Sequence, residues 1–351
     1  MFSLDLVEIY LRDRVAPHAN QLDHSVDMLR QAFHQLGEQH WLGLKIPTAW
    51  GGCGLTPPKF QQVQELMARY SGALAFLQAQ HQSAGGLLSR SENEPLKRHY
   101  LPQMVNGAIA VGVGFSHLRR SPPPFKAVPV PGGFQLDGTI PWITGFELFQ
   151  TFVGAAVLPD DRAVYGILPF CNTHQTSGSI HFSAPLPLAG MTATNTVTAE
   201  VRQWFLPDDQ VVFIQPANAI GIRDRQNVLQ HSCYALGCAQ AGLDLIQQQG
   251  RERSQLEIHQ AHQTLSQELH QCRAAIYAAQ ERSFEERLQL RAWAIELAVR
   301  CAHVAVTLAA GMANSLQHPA QRIYREAMVF TVTGQTKDVM LATLSRLVPR
   351  R

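Results

Sequence analysis

The sequence predicts a multi-domain α+β protein: a helical N-terminal domain over 1–107, a central β domain over 108–215 and a helical C-terminal domain over 216–351. Three observations predict it. Apolar residues recur at helical spacing in both outer thirds. The middle third breaks into short runs rich in Val, Phe, Ile and Thr, separated by Gly, Pro and Asp. There is no βαβ alternation and no strand-linked Gly-x-Gly-x-x-Gly string, which argues against a doubly wound fold.

In the first domain, "VDMLRQAFHQLGEQHWLGL" carries apolar residues at helical spacing and is expected to close at Gly43. "KIPTAWGGCGLTPP" interrupts the pattern with Pro47, Gly51, Gly52, Gly54, Pro57 and Pro58. "PPKFQQVQELMARYSGALAFLQAQHQSAGGLL" resumes it, and proline at its start suits a first helical turn. In the β domain the strand-like runs are "AIAVGVGF", "FKAVPVPGGFQLDGTIPWIT", "FQTFVGAAVL", "AVYGILPF" and "TVTAEVRQWFL". "PGGFQ" reads as a tight hairpin turn, and the whole as a compact, largely antiparallel sheet. In the C-terminal domain Leu265, Leu269, Cys272, Ile276 and Ala279 recur at alternating steps of four and three, as do Leu290, Ala294, Leu297, Cys301, Val304 and Leu308. Each set makes one stripe, the pattern of packed antiparallel bundle helices. Near the end, "REAMVFTVTGQT" (325–336) begins like a helix. It then turns to Thr331, Val332, Thr333 and Gly334, all poor mid-helix choices.

Net charge is +2 from 29 basic and 27 acidic side chains, a balance that argues against nucleic acid or an anionic membrane as partner. No window is expected to reach the unbroken apolar length of a membrane span. The stretch "MFSLDLVEIYLRDRVAPH" carries acids early, unlike a secretory signal, so a cytoplasmic location is expected. Cys53, Cys171, Cys233, Cys238, Cys272 and Cys301 form no CxxC pair and show no zinc spacing, and they read as reduced, mostly buried apolar residues. His259, His262 and His270 sit among Gln and Glu on one expected helix without a convergent carboxylate set, so no metal is expected.

Four strings stand in order: "GLKIPTAWGGCGL" (43–55), "KRHYLPQMVNGAIAVG" (97–112), "GGFQLDGTIPWITG" (132–145) and "PAQRIYREAMV" (319–329). Together they resemble the acyl-CoA dehydrogenase family. The first is similar to its Gly-Leu-x-x-Pro-x-x-Tyr-Gly-Gly-x-Gly-Leu segment and the second to its passage from helical to β domain. The third resembles its Gly-x-x-Leu-x-Gly-x-Lys-x-Trp-Ile-Thr hairpin, and the fourth its Pro-x-x-Arg-x-Tyr-Arg-Asp-Ala helix. The resemblance implies an N-terminal α-helical domain, a central antiparallel β-barrel domain and a C-terminal four-helix bundle, with FAD between the last two. It also implies an acyl thioester substrate, an electron acceptor protein, and a homodimer or homotetramer.

Alternation along "WITG" would put Trp142 and Thr144 on one face. A flat indole and a hydroxyl two residues on can cover one side of a flavin and bond its edge. The resemblance implies that role for both, beside a plainer reading of Trp142 as core and Thr144 as strand filler. "VGVGFSHLRRSPPPFKAV" (111–128) stands at the family's Leu-Thr-Glu-Pro-Gly-x-Gly-Ser-Asp loop. There Ser116 replaces a flavin-bonding Thr, and the Gly-x-Gly-Ser-Asp part is lost. His117, Arg119 and Arg120 become substrate-loop candidates, since two arginines suit a phosphate or carboxylate. A solvated turn stiffened by Pro122–Pro124 is the plainer alternative. Of the family's His-Gly-Gly-x-Gly loop only Gly311 remains, and Arg251 or Arg253 stands nearest to its Arg-x-x-Phe-Gly arginine.

Acyl-CoA dehydrogenation removes a proton from the carbon α to a thioester and needs a base within hydrogen-bond reach. By the resemblance that base is the Glu of a Tyr-Glu-Gly-Thr string. Counting on from Tyr324, Arg325, Glu326 and Ala327, Thr333 takes the Tyr place, Gly334 the Glu place, Gln335 the Gly place and Thr336 the Thr place. Thr336 thereby joins the implied flavin contacts, and Gly334 accepts no proton. The family's other base position matches Asn227, which is no base either. Asp224 and His231 lie one turn to each side of it and would share its helix face. Asp224, His231 and Gln335 are therefore the candidates for a displaced base, beside a capping or salt-bridging role for Asp224 and a packing role for His231. Three functions stay open. The first is an FAD-dependent oxidoreductase acting on CH–CH groups of an acyl thioester. The second is a flavin-dependent monooxygenase, which needs no α-proton base. The third is a non-catalytic descendant that serves as a binding or scaffold protein.

Overall fold

The computed structural model describes residues 2–253 and 255–348. The chain begins with α1 (Leu4–Tyr10), α2 (Ala19–His24), α3 (Val26–Glu38), α4 (Pro57–Tyr70), α5 (Gly72–Leu88) and α6 (Glu94–Val105). α3 ends at Glu38 and does not run on to Gly43. His40 takes a left-handed φ of 59°, and a separate 3₁₀ turn, Trp41–Gly43, follows. Ser25 and Ser71 cap α3 and α5, their hydroxyls accepting from the N–H groups of Met28 and Leu74.

The strands are β1 (Val111–Gly114), β2 (Phe125–Val130), β3 (Gly133–Ile143), β4 (Thr151–Val157), β5 (Arg162–Pro169), β6 (Thr173–His174), β7 (Ser179–Phe182), β8 (Val197–Pro207) and β9 (Val211–Pro216). They form one sheet in the order β6-β7-β8-β3-β2-β4-β5-β9, with β1 beside β4. The β2–β3 hairpin turns at Pro131–Gly132 as expected, Gly132 supplying a φ of 79°. The expectation of an antiparallel barrel needs correction. β1 runs parallel to β4, β2 meets β4 in a parallel bridge, and among the described residues the pairing path ends at β6 and β9 without closing. β4 and β5 are buried almost throughout, whereas β8 largely alternates. The parallel neighbours thus sit where the sheet is covered on both faces.

The C-terminal domain holds α7 (Ala219–Gln226), α8 (Ser232–Glu252), α9 (Leu256–Tyr277), α10 (Phe284–Ala309), α11 (Pro319–Val332) and α12 (Lys337–Leu347). Leu265, Leu269, Cys272, Ile276 and Ala279 are buried, as are Leu290, Ala294, Leu297 and Cys301, so both stripes face the core. α10 packs on α8, α9, α11 and α12 and is the central helix of the bundle. Phe284–Asn314 is long and apolar enough to cross a membrane by length and composition, with a mean hydropathy of 1.4. That corrects the expectation that no window approaches a span. Here 39% of that window is buried, and its buried side chains pack against four other helices.

Buried charge ties the three domains together. Glu326, fully buried on α11, accepts from Arg322 Nη1 at 2.7 Å and from the Gly72 N–H of α5 at 3.0 Å. Arg322 Nε donates to Asn20 at 2.9 Å. Arg325 pairs with the buried Asp23 of α2 and donates to Ala189 O at 3.1 Å, while Asp23 accepts from Met191 N–H at 2.7 Å. His81 joins α5 to β1: its Nδ1 accepts from Val111 N–H at 3.1 Å, so its Nε2 donates to Met104 O at 3.0 Å.

Glu326→Ala leaves Arg322 charged and buried without its partner. We expect urea unfolding to show a loss of about 3–5 kcal/mol, the usual cost of breaking a buried pair. His81 gives a pH prediction. Burial pushes its pKa down from 6.5 to about 4. The neutral ring therefore contributes stability in full above pH 6.5 and loses it as the pH falls towards 4, about 3 kcal/mol in all. Unfolding measured at successive pH values in that window should show this decline, and His81→Gln should flatten it.

Candidate functional site

The corner between α11 and α12 is built by "FTVTGQT". α11 absorbs Thr331 and Val332, because the Thr331 hydroxyl bonds back to Ala327 O at 2.8 Å and the Thr333 hydroxyl to Val329 O at 2.8 Å. The break falls at Gly334, whose φ is 59°, and Thr336 then caps α12 by accepting from Val339 N–H at 3.3 Å. The soft joint expected from Thr331 onward is thus confined to the four residues Thr333, Gly334, Gln335 and Thr336.

His231 fills the space against Gly334. A Cβ added to Gly334 would lie 2.6 Å from both Cε1 and Nδ1 of that ring, closer than any side chain tolerates. Two features therefore demand glycine there, the left-handed backbone and the imidazole. Beyond His231, Tyr234 stacks on Phe330 with ring centroids 5.4 Å apart. Burial first, then the charges of Arg291, Arg119 and Lys45, push the His231 pKa down to about 3. The ring is neutral at any physiological pH.

Arg291 was not flagged by the sequence reading, yet it holds this corner. It is buried on α10 and donates to Thr333 O at 2.7 Å and to Val228 O at 2.9 Å. Burial lowers its pKa to about 10. The available signal was an arginine inside the otherwise apolar "LQLRAWAIELA".

Several candidate positions differ from expectation. Asn227, Asp224 and His231 do not share a helix face, because α7 stops at Gln226 and α8 starts at Ser232. Arg287 and Arg291 hold the intervening turn by donating to Gln226 O at 2.6 Å and Val228 O at 2.9 Å. Asp224 is engaged by Arg119 through two bonds, 2.6 Å to Nε and 2.8 Å to Nη2, and does not cap α7. His117 is no open loop residue: it is buried beside Phe125 and bonds Ala155 O at 2.8 Å through Nε2. Arg120 and Ser116 are exposed, and Gln335 is half-buried. The two-residue alternation that would align Trp142 with Thr144 ends with β3 at Ile143, just past a register shift. Trp142 is 46% exposed, whereas Thr144 is buried with its hydroxyl on Thr196 Oγ1 at 2.9 Å. Arg253 Nη1 donates to Leu308 O at 3.1 Å, and Gly311 borders open space.

The comparisons with known proteins agree with this architecture. Residues 3–108 match the family model described as acyl-CoA dehydrogenase, N-terminal domain. The chain is similar to the probable acyl-CoA dehydrogenase YngJ of Bacillus subtilis (strain 168), 21% identical over 97% of this chain and 96% of that protein. Butyryl-CoA dehydrogenase from Megasphaera elsdenii superposes with a TM-score of 0.80 at 16% identity, covering 98% and 96% of the two chains. An acyl-CoA dehydrogenase complexed with FAD from Bacillus anthracis gives a TM-score of 0.80 at 16% identity, over 98% of this chain and 65% of that one. Fold and relatives define a three-domain protein of the acyl-CoA dehydrogenase type. The chain shares the acyl-CoA dehydrogenase fold along its length and matches that family's N-terminal domain over residues 3–108.

Gly334→Glu places a carboxylate at the corner only against strain. We expect it to cost about 1–2 kcal/mol for the left-handed backbone and about 1–3 kcal/mol for overpacking on His231. Adding His231→Ala should recover the packing part, read as a partial return of the urea midpoint.

Proposed function

We propose that this acyl-CoA dehydrogenase-like flavoprotein oxidoreductase acts on the CH–CH group of an acyl thioester, with Gly334 in the place of the family's carboxylate and His231 facing the substrate there. The observation behind the reading is the packing of His231 on Gly334, which sets an imidazole beside the position that the resemblance assigns to the family's base. The residues fit FAD at its ring half. Trp142 offers a half-exposed indole, and Ser116 an exposed hydroxyl on a segment that packs against β3. FAD, when bound, supplies the acceptor for the electrons that leave the thioester. Trp142 would pack on the ring and Ser116 would bond its edge, with Gly311 leaving room on the bundle side. Thr144 and Thr336 hold structural hydrogen bonds and orient the strand end and the corner.

His231 is in the protonation state a base requires, but a ring held at about 3 is a weak acceptor. Turnover should accordingly be slow beside that of a carboxylate-bearing relative. The same weakness favours a second reading, a flavin-dependent monooxygenase that removes no α-proton. An exposed apolar strip on α11 and α12, with Met328, Val332, Leu341 and Leu344, supports assembly as a homodimer or homotetramer. An electron acceptor protein completes the proposed cycle.

The test is a visible spectrum of the purified protein reconstituted with FAD, followed by anaerobic addition of butyryl-CoA. The dehydrogenase reading expects flavin absorbance that bleaches slowly, and His231→Gln should slow the bleaching further. Because His231 is neutral above about pH 3, the rate should show no inflection near 6.5. Bound flavin that never bleaches with acyl-CoA yet consumes oxygen when reduced would favour the monooxygenase. Failure to take up FAD at all would leave the fold without flavin chemistry.

A further inference from the structure

A cavity of about 250 Å³ lies in the seam where α1 and α4 of the N-terminal domain meet α8 and α9 of the bundle, lined by Glu8, Glu65, Leu66, Arg69, Gln240 and Arg273. None of these residues stands at the Gly334 corner or among the candidate flavin contacts. Beside the cavity α8 comes so close to α4 that a Cβ on Gly237 would sit 2.1 Å from Glu65 O. The helices meet there backbone to backbone, and long polar side chains frame the space next to the contact. Glu65, buried on α4, accepts from Arg273 Nε at 2.6 Å and from the Tyr277 hydroxyl at 2.9 Å. Arg273 Nη2 donates to Gln240 Oε1 at 3.2 Å, and Gln240 Nε2 donates to Asp244 Oδ1 at 3.1 Å. Arg69 donates to Asp244 from Nε at 2.7 Å and to Glu8 Oε1 from Nη1 at 3.0 Å. Three carboxylates, Glu8, Glu65 and Asp244, thus share two guanidiniums, Arg69 and Arg273, so the circuit is one positive charge short. Two of its polar atoms are also left over. Among the described residues no donor reaches Glu8 Oε2 and no acceptor reaches Arg273 Nη1. Both side chains are partly exposed, which gives a ligand access.

A net negative charge around a partly buried cavity favours a cation, because the lowered dielectric strengthens the attraction. The free Nη1 of Arg273 favours a carboxylate, which a guanidinium suits. We infer that this cavity binds a basic α-amino acid, with an ammonium on Glu8 Oε2, the carboxylate on Arg273 Nη1 and the methylene chain along the partly buried Leu66. Two ammonium groups and one carboxylate carry the single positive charge that the circuit lacks. Such a ligand joins α1 to α9, so it stabilises the seam between the N-terminal domain and the bundle. The inference goes beyond the redox reading and does not depend on it.

Titration calorimetry on the full chain tests it, with L-lysine as the probe. L-norleucine, which lacks the second ammonium, and cadaverine, which lacks the carboxylate, are the controls. Lysine should bind, and each control should bind about tenfold or more weakly, the effect of one lost charged hydrogen bond. Lysine affinity should fall several-fold between about 50 and about 300 mM salt. Glu8→Gln keeps the shape of the side chain and removes its charge, and it should weaken lysine by about tenfold. Should that variant fail to fold by circular dichroism, Leu66→Trp, which fills the cavity, makes the same test and should abolish binding. No binding of lysine, equal binding of lysine and either control, or unchanged binding in the folded variant overturns the inference. Flavin absorbance of the same samples reports on the proposed function separately: flavin without lysine binding sinks the amino-acid site alone, and lysine binding without flavin sinks the redox reading alone.

Discussion

The arrangement of the three domains depends on the buried acid–arginine contacts of α11. Glu326 and Asp23 are both out of water, and each is reached by an arginine from that one helix. Burying such charges is costly unless they are paired and hydrogen-bonded. Here Gly72, Met191, Ala189 and Asn20 provide further bonds, though Glu326 Oε2 is left without a partner, so the network forms only when α2, α5, the segment before β8 and α11 are all in place. The same helix runs on into the Gly334 corner. Whatever happens there is referenced to a rigid start.

At that corner the charges work in one direction. Arg291 stands behind it, fastening the carbonyl of Thr333 on one side and that of Val228 on the other. It brings the end of α11 against the start of α8, and its charge, with those of Arg119 and Lys45, adds to the burial that keeps His231 unprotonated. A carboxylate in this field would be well stabilised as an anion, but the backbone and the imidazole leave it no room.

Much of the fold was legible because its signals are local. The 4-3-4-3 stripes around Leu269 and Leu297, the Pro131–Gly132 turn and the run of four strings each follow from neighbours in sequence. The parallel placement of β1 beside β4 was not legible, since it comes from a crossover and not from any strand's own composition. α10 was misread for a related reason: hydropathy measures how apolar a helix is, and burial by α8, α9, α11 and α12 is a property of the assembled bundle. At the corner, Gly334 was legible as a helix-breaking residue. Its dependence on His231 was not, because the two are about a hundred residues apart. Asp224 and His231 were read on one continuous helix. The turn at Asn227–His231 separates them, held by arginines that arrive from α10.

By itself the sequence determined the order of helical, β and helical domains, the core stripes and the residue types available at the corner. Those follow from periodicity, turn chemistry and composition, which act over a few residues. Only the tertiary structure decided which of those residues meet. It buried His117 in the sheet, committed Arg119 to Asp224, turned Trp142 outward and Thr144 inward, and set His231 on Gly334. The physical reason is that each outcome depends on packing and low-dielectric pairing between segments distant in the chain, and neither term exists until the domains close on one another.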